Sequence, residues 1–176
     1  MRTKVRYSFV FLSTLCTNEY GGLIFGAILK MNGTSGVTQR QMRYLQHAAR
    51  AAKLSNCRIR VGAVAVCGKQ VLSAGWNATK SHPLQATFDR FRNFRAGSEP
   101  PHSIHAEIMC LSPIFDSPDV DWSRVTLYVC RLRNDRPYGM ARPCPACMAA
   151  IQSLGIKHII YTTNDGFAVE NLMKAS

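Results

Sequence analysis

Acidic side chains are scarce: 10 Asp and Glu stand against 22 Lys and Arg, a formal charge of +12. Such a balance points toward phosphate-bearing partners and says nothing about fold. Cysteine does not come in an even framework. Seven of them at irregular spacings argue against a secreted disulfide scaffold and for a reducing, cytoplasmic compartment. Long apolar runs are missing too. The stretch from Ser8 to Met31 is broken by Asn18, Glu19, Gly21 and Gly22, so it does not read as a membrane span, and no membrane partner is expected. There is no internal repeat and no low-complexity tract. With 47% apolar and 18% charged residues, neither a collagen-like nor a disordered composition fits.

What is present is a chain of 176 residues, the size of one ordinary domain, with room for a core that needs no disulfide staples. Its positive charge sits in the middle third. Residues 37–104 carry 11 basic and 2 acidic side chains, residues 105–176 carry 7 of each, and residues 1–36 carry 4 and 1. The opening MRTKVRYSFVFLSTLC has the basic start and short apolar run of a signal peptide, but TNEYGG follows and no small-x-small cleavage site is convincing. Residues 1–36 are therefore expected as an N-terminal extension of low predicted order, a strand or hairpin packed on the domain at 37–176.

Regular patterning begins at residue 38. In TQRQMRYLQHAARAAKLS, Met42, Leu45, Ala49 and Ala52 recur at intervals of three, four and three, which predicts an amphipathic helix with arginines outside, ending near Ser55. RVGAVAVCGKQVLSAGWN then holds two β-rich runs, Val61 to Cys67 and Gln70 to Gly75, joined by a Gly-Lys turn as a hairpin. RVTLYVCRL is a third strand and KHIIYTT a fourth. Short helices are predicted at HAEIMCL and at CPACMAAIQSLG, the second closed by Gly155. Strands alternating with helices indicate an α/β layer architecture. After KHIIYTT only residues 164–176 remain, too few for a parallel crossover. NDG is a turn signal, so FAVENL is expected to return antiparallel to the fourth strand.

RPCPAC, residues 142–147, sets two cysteines three apart. A redox pair would sit where this one does, at a strand end opening a helix, and a structural metal clip is a second reading. A redox pair needs no metal motif upstream, yet HAE at 105–107 opens the other predicted helix. A histidine and two thiolates give three zinc ligands, and three protein ligands with an open fourth position mark a catalytic rather than a structural site. Cys144 and Cys147 project from one face of one helical turn, and the partial positive charge at that helix N-terminus favours thiolate. Glu107, two residues past His105, then lies close to the metal without needing to bind it, where a proton shuttle belongs.

H-x-E followed by P-C-x-x-C is the signature of zinc-dependent nucleobase deaminases. The chain resembles the cytidine and deoxycytidylate deaminase superfamily, which also includes the tRNA adenosine deaminases. VGAVAV, VLSAGWN, HAEIMCL, TLYVC, PCPAC and IKHIIYT carry the resemblance in that order, over residues 40–163. It implies a three-layer, cytidine deaminase-like α/β fold: a mixed sheet of about five strands, helices on both faces, and the two motif helices side by side. It also implies zinc held by His105, Cys144 and Cys147, which lowers the pKa of a bound water until hydroxide is available near neutral pH. Glu107 would carry that water's proton to the ring nitrogen and then to the departing amine. Attack falls on C4 of a cytosine or C6 of an adenine, and ammonia leaves. Asn77, in GWN, matches an asparagine that contacts the substrate sugar or its neighbourhood in relatives; a turn-forming asparagine is the plainer reading. Ala63 lies where the family packs a small residue beside the base, and Ala106 keeps the H-x-E spacer small.

Two departures from the family bear on substrate. Between Asn77 and His105 stand 27 residues, within which PLQATFDRFRNFRAG sets Leu84, Phe88 and Phe91 at i, i+4, i+7 with Arg90, Arg92 and Arg95 on other sides. This is an amphipathic cover helix, or else a wall of arginines and aromatics against phosphate and base. CRLRNDRPYGMA then intervenes before PCPAC and adds Arg131, Arg133 and Arg136, with Lys80, His82 and Arg142 completing a basic rim. Cys57, Cys67, Cys110 and Cys130 read as small hydrophobes, and His102 as an exposed or hydrogen-bonded histidine. Three functions stay open. Deamination of a free cytosine nucleotide such as dCMP is favoured by a compact pocket with a basic rim. An editing deaminase acting on cytosine or adenine in single-stranded DNA or RNA is supported by the basic middle third. A zinc-stabilised binding protein without activity is the third, and Glu107 counts against it. The matching partners are a pyrimidine nucleotide or a single-stranded nucleic acid; assembly as a homo-oligomer is also open.

Overall fold

The computed structural model describes residues 36–92 and 103–172, all of them within the unit Gly33–Ser176. The extension expected over residues 1–36 lies outside the described residues except for Gly36, as do Arg95 and His102. Thr38 starts the first helix, α1 (Gln39–Ala52), through a capping box: its hydroxyl accepts from the Gln41 N–H at 3.3 Å and its own N–H donates to the Gln41 side chain at 2.7 Å. β1 (Arg60–Cys67) and β2 (Gln70–Trp76) are the expected hairpin, turning at Gly68, whose φ of 61° suits glycine. Then follow α2 (Pro83–Asp89), α3 (Ala106–Leu111), β3 (Val125–Leu132), β4 (Tyr138–Gly139), α4 (Pro145–Ser153), β5 (His158–Thr162) and β6 (Phe167–Asn171).

The sheet runs β2-β1-β3-β5-β6. β1 is antiparallel to β2 and to β3, β3 is parallel to β5, and β6 returns antiparallel to β5. Among the described residues the five expected strands are joined by a sixth, because Tyr138–Gly139 pairs antiparallel with Arg131 and Leu132 at the end of β3. Two residues are too few to show a period in sequence. Their pairing is fixed instead by Thr162, fully buried at the end of β5. Its hydroxyl donates to the Gly139 carbonyl at 2.8 Å and accepts from the Arg131 N–H at 3.1 Å, while the Ala141 N–H donates to the Thr162 carbonyl at 2.9 Å. The long loop after β3 is thereby drawn back onto the sheet and delivers residues 142–147 to its face.

Helices cover both faces. Leu45 and Ala48 of α1 pack with Val64, Val66, Tyr128, Cys130 and Ile160 on one side. On the other, α3 and α4 share a core with Ala63, Ala65, Leu127, Val129 and Ile159. Full burial of each large aliphatic side chain there contributes about 1.5–3 kcal/mol. The buried stripe of α1 is Leu45, Ala48, Ala51 and Ala52, with Met42 and Ala49 only half-buried, a rotation from the expected face. Gly62 is the cause. A Cβ there would run into the backbone of Ala48 and Ala52, so the helix backbone rests directly on β1 at that point. Gly75 does the same on the opposite face, where a Cβ would meet the backbone of Ala106, Met109 and Cys110 in α3. The cover helix is also shorter than its pattern suggested, ending at Asp89, and Phe91 is exposed beyond it.

Candidate metal centre

Two helix N-termini meet on the α3/α4 face. His105 is the N-cap of α3 and Cys144 the N-cap of α4, and neither side chain caps its own helix. Both are thus left to face one another. The approach to His105 is pinned to the end of β2, since Ile104 and Ala78 exchange two backbone hydrogen bonds at 3.0 and 3.1 Å. From α2 comes a contact the sequence did not announce: the His105 N–H donates to Gln85 Oε1 at 3.0 Å, Gln85 Nε2 donates to Asp89 Oδ1 at 2.8 Å, and Asp89 pairs with Arg92 at 3.5 Å. Gln85 is 2% exposed, so this relay is internal structure. The available signal was two polar side chains at i, i+4 on a helix otherwise read as apolar inside and basic outside. Phe88 completes the cover by packing with Ile104, Ile108, Ala146, Cys147 and Ala150.

His105 Nδ1 lies 3.4 Å from Cys144 Sγ and 3.3 Å from Cys147 Sγ, and all three donor atoms fall within 4.8 Å of one another. One imidazole nitrogen and two sulfurs are donors that zinc prefers, and the trio leaves one tetrahedral position for another ligand. The Cys144 thiol is drawn down to about 3 by a hydrogen bond from Cys147, with His105 adding to the pull, while Cys147 is pushed well above its ordinary range by the same hydrogen bond and by burial. The hydrogen bond to Cys144 raises His105 in turn. Glu107, in the first turn of α3 and 5% exposed, is pushed above the usual carboxylate range by burial, with His105 pulling the other way. A buried carboxyl with a raised pKa beside three metal donors is placed to take up a proton and return it.

The remaining residues singled out from sequence divide three ways. Ala63 of β1 and Ala106, the first residue of α3, are buried in the core the two elements share. Asn77 holds backbone: its Oδ1 accepts from the Val61 N–H at 2.8 Å and its Nδ2 donates to the Ile59 carbonyl at 2.7 Å. His82 caps α2 by accepting from the Leu84 N–H at 3.2 Å. Among the cations, Arg142 grips Glu170 of β6 through two bonds of 2.7 and 2.9 Å, and Arg133 and Arg136 both bind Asp135. Arg90 is exposed with its guanidinium 5.0 Å from the Phe91 ring centre, and Lys80 is exposed. Arg92, paired with Asp89, is near enough to His105 to work against the rise that the Cys144 hydrogen bond causes. Arg131 is half-buried, its Nε enclosed without a hydrogen-bond partner among the described residues, and its stem crosses Gly139, where a Cβ would crowd both Arg131 and Arg133.

The family model for the cytidine and deoxycytidylate deaminase zinc-binding region matches residues 36–163. No curated protein sequence matches the chain. Similar solved structures include the dCMP deaminase of cyanophage S-TIM5 in complex with dCMP and dUMP, 26% identical over 70% of this chain and 80% of that one, with a TM-score of 0.47. The cytidine deaminase of Burkholderia pseudomallei is 17% identical over 77% of this chain and 93% of that one, with a TM-score of 0.49.

Proposed function

Because the chain belongs to the cytidine and deoxycytidylate deaminase family, with its zinc-binding region spanning residues 36–163, we propose that it removes the amine of a cytosine base in a free nucleotide such as dCMP by hydrolysis. His105, Cys144 and Cys147 would hold the zinc. When bound, zinc supplies Lewis acidity that makes water a nucleophile near neutral pH. The observation that carries the reading is Glu107, a buried carboxyl of raised pKa beside the three donors. A site that merely held structure would have no use for it. Glu107 takes the proton of the attacking water, passes it to the ring nitrogen, and then serves the departing amine, so that a C–O bond replaces the C–N bond and ammonia leaves. Gln85 keeps His105 in place, and α2 roofs the site against water.

Support for a free nucleotide comes from the cations. Alternation along β3 sets Arg131 on the same face as Leu127 and Val129, the face of α3 and α4. Its Nε is enclosed without a hydrogen-bond partner among the described residues, whereas Arg133, Arg136 and Arg142 pair with carboxylates. A single enclosed guanidinium on the face of the metal centre suits one phosphate, whereas a strand at the pocket calls for several cations. The test is ammonia release from dCMP, cytidine and a single-stranded oligodeoxynucleotide measured side by side. The reading expects dCMP to turn over best, and Arg131→Gln to raise KM for dCMP while leaving cytidine unchanged. Robust, salt-sensitive deamination of the oligonucleotide with none of dCMP would replace it by the strand-editing alternative.

A further inference from the structure

The exposed side of α1 carries a row of basic residues that the metal centre does not use. Arg40, Arg43, His47 and Arg50 follow one another at i, i+3, i+7, i+10, a spacing that keeps them on one side of the helix over about 15 Å of its length. All four are exposed. The row is continuous, since Arg50 comes near enough to His47 to depress its pKa. No acidic residue occurs anywhere in α1, and none of the ion pairs among the described residues involves Arg40, Arg43, Arg50 or Lys69. Lys69, from the β1–β2 turn, joins the row because the Tyr44 hydroxyl donates to the Lys69 carbonyl at 3.1 Å, and Tyr44 is itself anchored with its ring centre 5.1 Å from that of Tyr128. Helix and turn thereby enclose an open cleft of ≈ 340 Å³ lined by Arg40, Arg43, Tyr44, His47 and Lys69.

We propose that this cleft and the row of cations leading from it bind the phosphate backbone of a single-stranded nucleic acid, on the sheet face opposite the metal centre. Charge decides the sign of the partner, and shape decides its kind. One free phosphate needs one or two cations and leaves the rest of a 15 Å row unused, whereas a strand offers successive phosphates along it. A flat anionic membrane fits a concave cleft poorly and wants apolar residues beside the basic ones; the flanking surface of α1 offers Gln39 and Gln46 instead. Nothing here draws on the substrate of the metal centre, so the two readings stand or fall separately.

The test is fluorescence anisotropy of the full chain with a labelled 20-nucleotide oligo-dT over a range of salt. Replacing Arg40, Arg43 and Lys69 together by glutamine is expected to weaken binding about a hundredfold at 0.1 M salt and to flatten the log–log salt slope by about 2, at about 0.7 per lost phosphate contact. Circular dichroism and thermal unfolding should match wild type, since all three are surface positions, and the single variants Arg43→Gln and Lys69→Gln should each show a fraction of the loss. Arg90→Gln with Arg92→Gln should bind as wild type. Loss that follows Arg90 and Arg92 instead, binding of inorganic phosphate that competes fully at equal charge, or binding to phosphatidylserine vesicles without binding to oligo-dT would each overturn the proposal.

Discussion

Gln85 accepts from the His105 N–H while Glu107 lies buried beside the three donors, and substitution should separate what they do. Glu107→Gln keeps the size of the side chain and removes the proton transfer proposed for it; it should retain zinc and fold while turnover falls by at least about 10²–10⁴, the usual worth of a positioned acid–base group. Metal analysis and ammonia release on one preparation check this, and near-wild-type turnover would end the shuttle role. Gln85→Ala instead strands the buried His105 N–H, at a cost of about 1–3 kcal/mol. It should lower the melting temperature and weaken zinc in a chelator competition. Glu107 was legible from sequence because H-x-E fixes its distance from a ligand within one turn. Gln85 was not. Its role depends on which side of α2 faces α3 across 20 residues of intervening chain, and no local spacing encodes that.

At the level of elements, two glycines set how closely the helices approach the sheet. Gly75→Ala forces α3 off β2 and Gly62→Ala forces α1 off β1, each an overpacking of about 1–3 kcal/mol or more. Only the first moves a ligand-bearing helix, so zinc affinity should fall further with Gly75→Ala than with Gly62→Ala at comparable losses in stability. The ion pair of Arg142 with Glu170 makes a different claim. Arg142 holds the Glu170 carboxyl below the ordinary range, so its contribution is present above the unfolded value of the carboxyl and fades as pH falls through the lowered folded one. With both side chains partly exposed it is worth at most about 1 kcal/mol. Thermal unfolding of wild type and Glu170→Gln from pH 7 to pH 3 should therefore converge on the acid side. The hairpin, β3, β5 and both motif helices were readable from period, turn residues and caps. The two-residue β4 and the rotated face of α1 were not, because Thr162 and Gly62 decide them through partners distant in sequence.

For the whole molecule, the three donors are shared between two helices, so metal acts as a clasp on the fold. Chelation should lower the melting temperature and zinc should restore it, by about 2.7 kcal/mol at a free concentration a hundred times the dissociation constant. No shift on chelation would show that the cluster holds no metal in solution. Among the described residues no helix is long and apolar enough to cross a membrane. The route of the chain between the donors also sets an order in time. Cys144 lies 39 residues after His105, and β3, which pairs with both β1 and β5, occupies the interval. The cysteines can meet the histidine only after that long loop has closed, which comes late in a chain whose early contacts are local, such as the β1–β2 hairpin. Zinc added at the start of refolding should therefore leave the folding rate unchanged and slow unfolding by nearly the full factor of its stabilisation. Stopped-flow measurements with and without metal would reveal a clasp that fastens only after the garment is already on.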